Sequence, residues 1–376
     1  IIAHHYKDTI VPLIRFSINS KNYINDLTNQ YTMVGYDSLT KSIIENKDSK
    51  DEDFEKKVKA YQHLFEEVRN EIGKAVIGQK EALNTLLEAL IANGHVLVEG
   101  IPGIAKTLLI RTLSTVTGCE FRRIQFTPDL LPTDIIGITS YDENKGFYTI
   151  KGPIFSNFVL ADEINRAPPK VQSALLESMQ EKQVTIGKTS YHLPKPFFVM
   201  ATQNPVEQLG TYQLPEAQVD RFIFKLMMSY PDMKDEIKIL ETNMTLNKFE
   251  DFELKPILHS EMIINLQQDV KKIYLDKKIE KYIVKIVDAT RNPQKYHLNL
   301  GKYVEFGASP RGSIGLYIGS KAHAMMNGKT YVTPYDVKSI AMNVLRHRII
   351  LNYEGQAEDV KTDDVVKEIL DKVPVI

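Results

Sequence analysis

From Phe54 to Ile72 the chain reads "FEKKVKAYQHLFEEVRNEI". Its apolar residues recur at helical spacing (Phe54, Val58, Tyr61, Leu64, Phe65, Val68, Ile72), which predicts an amphipathic helix stopped by Gly73. A second helix follows "IGQ", from Lys80 to Ala92. Beyond it the apolar runs shorten. "HVLVE" (95–99), "FRRIQF" (121–126), "NFVLAD" (157–162), "FFVMATQ" (197–203) and "RFIFKLMM" (221–228) predict five buried strands, with helices over 106–116 and 171–180 among them. Strands alternating with helices imply a parallel sheet covered on both faces. Two stretches break that rhythm. Residues 134–155 and 181–197 each read as a hairpin around a Gly-containing turn, inserted into the α/β layer.

After Pro231 the pattern turns helical, with segments at about 232–244, 259–269, 276–290, 312–327 and 334–347 and little strand character. Residues 1 to 50 show no clear period, and the charge run "KDSKDEDFEKK" (47–57) reads as a solvated boundary. The expected division is an N-terminal segment of unknown role (1–53), an α/β core (54–230) and a helical domain (231–376). No internal repeat is evident.

Composition narrows the class. With 376 residues, 43% hydrophobic, 25% charged and a formal net charge of −1, the chain has the profile of a soluble globular protein of about two domains. A near-neutral balance gives no electrostatic reason to expect nucleic acid or an anionic membrane as the main partner. The one cysteine, Cys119, cannot form an intramolecular disulfide. It reads as a small buried hydrophobe in a reducing, cytoplasmic setting. No apolar run approaches the ~18 residues of a membrane span, and the N-terminus lacks the basic-then-apolar pattern of a signal peptide.

Candidate chemistry sits at the strand ends. "EGIPGIAKT" (99–107) follows the first strand and nearly matches the phosphate-binding loop G-x-x-x-x-G-K-[ST]: Gly100 opens it, Lys106-Thr107 close it, and Ala105 replaces the second glycine. Gly100, Pro102, Gly103, Ile104, Ala105 and Leu108 would wrap the phosphates. Lys106 would neutralise them, and the Thr107 hydroxyl would bind Mg²⁺. Ala105 is expected to be helical, where Ala is better than Gly by ~1 kcal/mol; a positive φ would strain it. "NFVLADEINRAPP" ends a buried strand in two adjacent carboxylates, Asp162 and Glu163, which calls for a cation. Mg²⁺–ATP is such a partner, with Asp162 on the metal or its water and Glu163 activating the attacking water. Asn204, in "FFVMATQNP", ends the neighbouring run and could position that water or the γ-phosphate, although Asn-Pro is also a common turn signal.

In "GASPRGS", Ser309 reads as an N-cap with Pro310 at the first helical position. Arg311 then lies in the first turn, where the helix dipole disfavours a cation and a compensating anion is needed. A γ-phosphate or a carboxylate would serve. "VTPYD" (332–336) starts in the same way but follows with Asp336, which obeys the dipole and needs no ligand.

In this order the elements resemble the AAA+ ATPases, and within them the MoxR family, from about Val58 to Ile349. "GIPGIAKT" is similar to a family variant of the loop in which Ala before Lys is normal. "RIQFTPDLLPTDIIG", "ADEINRAPPKVQSALLESMQE", "ATQNPVEQLGTYQLPEAQVDRF" and "GASPRG" resemble family signatures. The resemblance implies a five-stranded parallel sheet sandwiched by helices, two hairpin insertions and an all-helical lid. Lys106, Thr107, Asp162, Glu163 and Asn204 match the Walker A, Walker B and sensor-1 positions. Arg221 in "VDRF" matches an arginine finger that reaches the ATP of a neighbouring subunit, and Arg311 matches sensor 2. "AVIGQ" (75–79), with Val76 and Ile77, matches the segment that contacts adenine. The insertions match those of the clade that includes magnesium chelatase, whose tips often face the ring's pore or a partner.

The implied activity is hydrolysis of ATP with Mg²⁺ in a ring, a hexamer by family inference, to remodel, activate or assemble client proteins. The implied partner is a separate von Willebrand factor A domain protein. Two other classes are weighed. A nucleic-acid-directed motor would need a basic stripe, and 181–197 offers only Lys182, Lys188 and Lys195 against Glu181. An ATP-dependent switch with little turnover would have no need of Glu163 or Asn204. The nine histidines include no H-E-x-x-H pair, and no Asn-Lys-x-Asp guanine reader is present.

Overall fold

The structure, a computed structural model, describes residues 36–144, 146–204, 210–245 and 248–375, with side chains from residue 52 onward except those of 242–245. Residues 1–35 of the unassigned N-terminal segment, and Pro205 of the Asn-Pro pair, lie outside the described residues. Lys57–Ile376 forms one compact unit. Helix α1 spans Tyr36–Ile72 and so begins well before the Phe54 expected from periodicity. Its apolar stripe is buried at Val58, Phe65, Val68 and Ile72, as the spacing predicts.

Five parallel strands build the core sheet: β1 (Val96–Glu99), β2 (Phe121–Gln125), β5 (Phe158–Asp162), β8 (Phe198–Gln203) and β9 (Phe224–Met227), in the order β2-β5-β8-β1-β9. Their registers run Phe158↔Phe198, Leu160↔Met200, Val96↔Met200 and Val96↔Phe224. The three central strands carry apolar residues on both faces because helices cover both, so they read as continuous runs and not as alternation. Flanking them are α2 (Lys80–Ile91), α3 (Lys106–Val116) and α5 (Pro169–Glu181). The last expected strand is shorter than its apolar run, because Asp220–Ile223 form the turn that leads into it.

Both insertions are hairpins. The first consists of β3 (Gly137–Asp142) and β4 (Gly146–Lys151), entered through the short helix α4 (Pro132–Ile136); the second pairs β6 (Gln183–Ile186) with β7 (Thr189–His192). Gly137 takes φ +101, and a Cβ there would lie 2.2 Å from the Ile150 carbonyl oxygen, so only glycine fits.

The C-terminal region is the helical lid. It contains α7 (Met233–Thr245), α8 (Ser260–Asp269), α9 (Lys277–Arg291), α10 (Pro310–Met326), α11 (Pro334–Leu345) and α13 (Thr362–Lys372), with α6 (Glu216–Val219) in the core and α12 (Tyr353–Ala357) between α11 and α13. The sequence pattern did not show the small antiparallel pairing between β10 (Val304–Phe306) and β11 (Ile350–Leu351). Glycines on α10 let the lid approach the sheet. A Cβ on Gly319 would meet Ile340 of α11 at 2.7 Å and the Phe224 ring of β9 at 3.0 Å. Among the described residues no helix is long and apolar enough to cross a membrane.

Candidate functional site

β5, β8 and β1 are adjacent and parallel, so Asp162-Glu163, Asn204 and the 100–105 loop all emerge along one edge of the sheet. Ligands of open α/β sheets bind at the carboxyl ends of strands. Ile104 is buried and anchors the loop, while Gly103 takes φ +84 with nothing within 4 Å of the place a Cβ would occupy. The loop therefore leaves an open cradle in front of α3. Ala105 corrects the sequence expectation: it is left-handed, with φ 63 and ψ 24, and the helix starts only at Lys106. Its carbonyl still accepts the first helical bond, from the Leu109 N–H at 2.9 Å. Closing the loop onto the helix dictates this φ, against the residue's own preference. Lys106 Nζ donates to the Gly100 carbonyl at 2.7 Å. Burial draws its ammonium below the ordinary value, with Asp162 and Glu163 pulling the other way. Thr107 and Leu108 follow in the first turn, half-buried.

Asp162 is only 8% exposed. Its Oδ1 accepts from Thr202 Oγ1 at 2.6 Å, and its Oδ2 accepts from Arg123 Nε at 3.0 Å and Nη2 at 2.6 Å. The cation demanded by a buried carboxylate is here a guanidinium. Glu163 is left-handed (φ 56, ψ 50), a conformation that costs a non-glycine residue on the order of 1–3 kcal/mol and clusters at functional sites. Its N–H donates to Thr202 Oγ1 at 2.9 Å, and its Oε2 takes Gln125 Nε2 at 2.7 Å and Arg166 Nη1 at 3.2 Å. Asn204 is buried beyond the end of β8. Sequence reasoning missed Arg123, Gln125 and Thr202. The signals for the first two were their place at the head of the "RIQFTPDLLPTDIIG" stretch and their spacing at i and i+2 on a strand, which puts both on one face.

The donor set fits Mg²⁺–ATP. Thr107 and Asp162 offer hard oxygens, Lys106 a cation, and the loop an open concavity at a helix N-terminus. Among the described residues no cluster of three His, Cys, Asp or Glu forms a metal cage. Mg²⁺ needs none, since it keeps several waters and phosphate oxygens. Val76 and Ile77 line a cavity of about 500 Å³ with Leu83, Asn84, Asp235 and Lys238.

The two candidate arginines lie elsewhere. Arg221 precedes β9, and the Ile223 N–H donates to the carbonyl of His95, the residue before β1. Arg221 is thus at the amino edge of the sheet, whereas the loop leaves the carboxyl edge. The four residues of β1 separate the edges by about 13 Å. Arg311 shares that amino edge. Of the two anions weighed for it, the structure supplies a carboxylate, with Nη1 3.4 Å from Asp220 Oδ2. Ser309 caps α10 as expected, accepting from the Arg311 N–H, and donates to the same Asp220 oxygen at 2.8 Å. Arg348, buried, completes the junction. Its Nε donates to Asp220 Oδ1 at 2.8 Å, and its guanidinium also reaches the carbonyls of Asp220, Phe222, Ile223 and Val344. Burial pulls its pKa to about 10, with Asp220 opposing, so it is charged at neutral pH. At the second proline-led start, Asp336 Oδ2 accepts from the Thr333 N–H at 2.7 Å, as the dipole rule predicts. Cys119 is half-buried and not fully buried as expected; burial pushes its thiol up, and Sγ donates to the Thr117 carbonyl.

Residues 95–224 match the family model described as the ATPase family associated with various cellular activities (AAA), and 299–369 match the AAA lid domain. Chaperone MoxR1 of Mycobacterium tuberculosis is 43% identical over 313 residues, covering 83% of this chain and 82% of that protein. The Bacillus subtilis protein YeaC is 44% identical over 307 residues, covering 81% and 93%. A crystal structure of a Cytophaga hutchinsonii protein assigned as an ATPase superposes with a TM-score of 0.80 at 48% identity, covering 86% of this chain and 98% of that one.

Proposed function

Because the chain belongs to the MoxR family of AAA ATPases, we propose that it hydrolyses Mg²⁺–ATP at sites shared between neighbouring copies in a ring. The nucleotide cycle would then remodel, activate or assemble client proteins. One observation carries the shared-site reading. Lys106, Thr107, Asp162, Glu163 and Asn204 occupy the carboxyl edge of the sheet, while Arg221 and Arg311 occupy the amino edge of the same protomer. A single copy cannot close both sets on one phosphate chain, but a copy whose amino edge faces the next copy's carboxyl edge can. Such head-to-tail contacts form a ring when the rotation from copy to copy closes.

In this reading Lys106 and the backbone of 100–105 hold the phosphates, and Thr107 and Asp162 hold Mg²⁺. Glu163 accepts the proton of the attacking water, which Asn204 orients. Arg221 and Arg311 stabilise charge on the neighbour's γ-phosphate. When bound, the metal neutralises charge that develops on the phosphate oxygens. Val76 and Ile77 are assigned to the adenine. Six copies, a separate von Willebrand factor A domain partner and a cytoplasmic setting belong to the same proposal through the family resemblance. The chaperone name of the mycobacterial relative supports work on proteins.

The test is ATPase turnover against protein concentration, with sizing in the presence and absence of ATP. Specific activity that rises with concentration, an ATP-dependent large species and an Arg221→Ala variant that binds ATP without hydrolysing it are expected. Concentration-independent turnover by a monomer would keep the nucleotide site and remove the ring.

A further inference from the structure

Beyond the roles above, we propose that Arg123 is a resident counter-ion of Asp162 that the metal must displace, so that the site holds its own two carboxylates until Mg²⁺–ATP arrives. The inference rests on the proposed nucleotide site and concerns how that site is kept before loading.

Both oxygens of Asp162 have protein donors. Oδ1 takes the Thr202 hydroxyl, and Oδ2 takes both Nε and Nη2 of Arg123, the shorter contact at 2.6 Å. Charge-assisted pairs of this length are the strong ones. Asp162 is nearly buried, whereas the Arg123 side chain is half-exposed, so the carboxylate is fixed and the cation can swing into solvent. A divalent ion and a guanidinium cannot share one carboxylate oxygen without strong repulsion. Metal binding directly at Oδ2 would therefore require Arg123 to leave.

Its departure would reach Glu163 too. Arg123 Nη2 also donates to Gln125 Oε1 at 2.7 Å, and Gln125 Nε2 donates to Glu163 Oε2 at 2.7 Å. The register makes the ladder possible, because Arg123 pairs with Leu160 and Gln125 with Asp162 across β2 and β5. Releasing one cation frees the acceptor side of Gln125 and loosens its hold on the second carboxylate. Arg123 is thus a positioning residue that acts through Asp162 and Gln125.

The experiment uses the full chain and follows ATP binding by calorimetry at fixed ATP over a Mg²⁺ titration, with melting curves of the free and the Mg²⁺–ATP-loaded protein. Arg123→Gln removes the competing charge, and Arg123→Lys keeps the charge with a single contact point. For Arg123→Gln we expect half-saturation at a Mg²⁺ concentration lower by about fivefold or more. We also expect a lower melting point without ligand and a wider ligand-induced gap, with Arg123→Lys intermediate. A merely structural arginine would lower both melting points together. An unchanged or higher Mg²⁺ requirement in both variants would overturn the proposal. Failure of the unsubstituted chain to bind Mg²⁺–ATP would sink the nucleotide reading itself, a different result from normal binding with identical titrations.

Discussion

Ala105→Gly separates two accounts of the loop by the sign of its effect. A helical Ala105 would make glycine worse by about 1 kcal/mol, because glycine loses more backbone freedom on folding. The observed φ of 63 reverses this. A left-handed alanine costs roughly 1–2 kcal/mol that glycine does not incur. Against that stands about 0.4–1 kcal/mol for the extra freedom glycine gives the unfolded chain. The difference is a net gain of about 0–1.6 kcal/mol, centred on ~0.8. For the compact unit Lys57–Ile376 that raises the melting point by about 1 °C. Differential scanning calorimetry of the ligand-free protein would read it. ATP affinity adds a second readout. If Ala105 stays left-handed with phosphate bound, glycine leaves Kd unchanged; if binding moves it into the helical region, glycine stabilises only the free form and weakens binding. A melting point lowered by about 1–2 °C would refute the left-handed assignment and restore the helical one.

Further outcomes follow from other residues. Glu163→Gln should bind ATP and lose hydrolysis by about 10²–10⁴-fold in single-turnover assays, and retained turnover would remove Glu163 as the base. Arg348→Met should destabilise the chain by about 3 kcal/mol in urea unfolding, since it leaves the Asp220 carboxylate without its buried partner; a loss under 1 kcal/mol would contradict that role. His95 is fully enclosed. It donates from Nε2 to the Met179 carbonyl and accepts at Nδ1 from the Val199 N–H, and burial holds its pKa at about 4 against an ordinary 6.5. The unfolded chain takes up that proton first, so this contribution is fully present above about pH 6.5 and fades as pH falls toward 4, by up to about 3 kcal/mol. His95→Asn should flatten that part of the stability profile measured by urea unfolding between pH 4 and 7.

The sheet and most of the candidate site were legible because their signals are local. Strands buried on both faces must be apolar throughout, so polar residues at their ends, Asp162 and Asn204 among them, stand out from their neighbours. What pairing across strands creates was not legible. Arg123 meets Asp162 across 39 residues of chain, and Arg348 meets Asp220 across 128. Periodicity tells which face a side chain takes, not which strand lies beside it. Ala105 failed for another reason: intrinsic preference favours the helix, but closing the loop fixed φ. The early start of α1 escaped because residues 47–53, "KDSKDED", carry no apolar residue and read as a solvated boundary.

The division of the candidate residues between two edges of one sheet bears on genetics as well as catalysis. Under the proposed reading, a copy with Glu163→Gln keeps its arginines and a copy with Arg221→Ala keeps its carboxylates, so each carries the half that the other has lost. Mixed in equal amounts, two inactive proteins would rebuild an unaltered junction wherever the second lends its loop to the first's arginine, on the order of one junction in four. Two lesions in different copies would then complement, whereas the same two lesions in one copy would not.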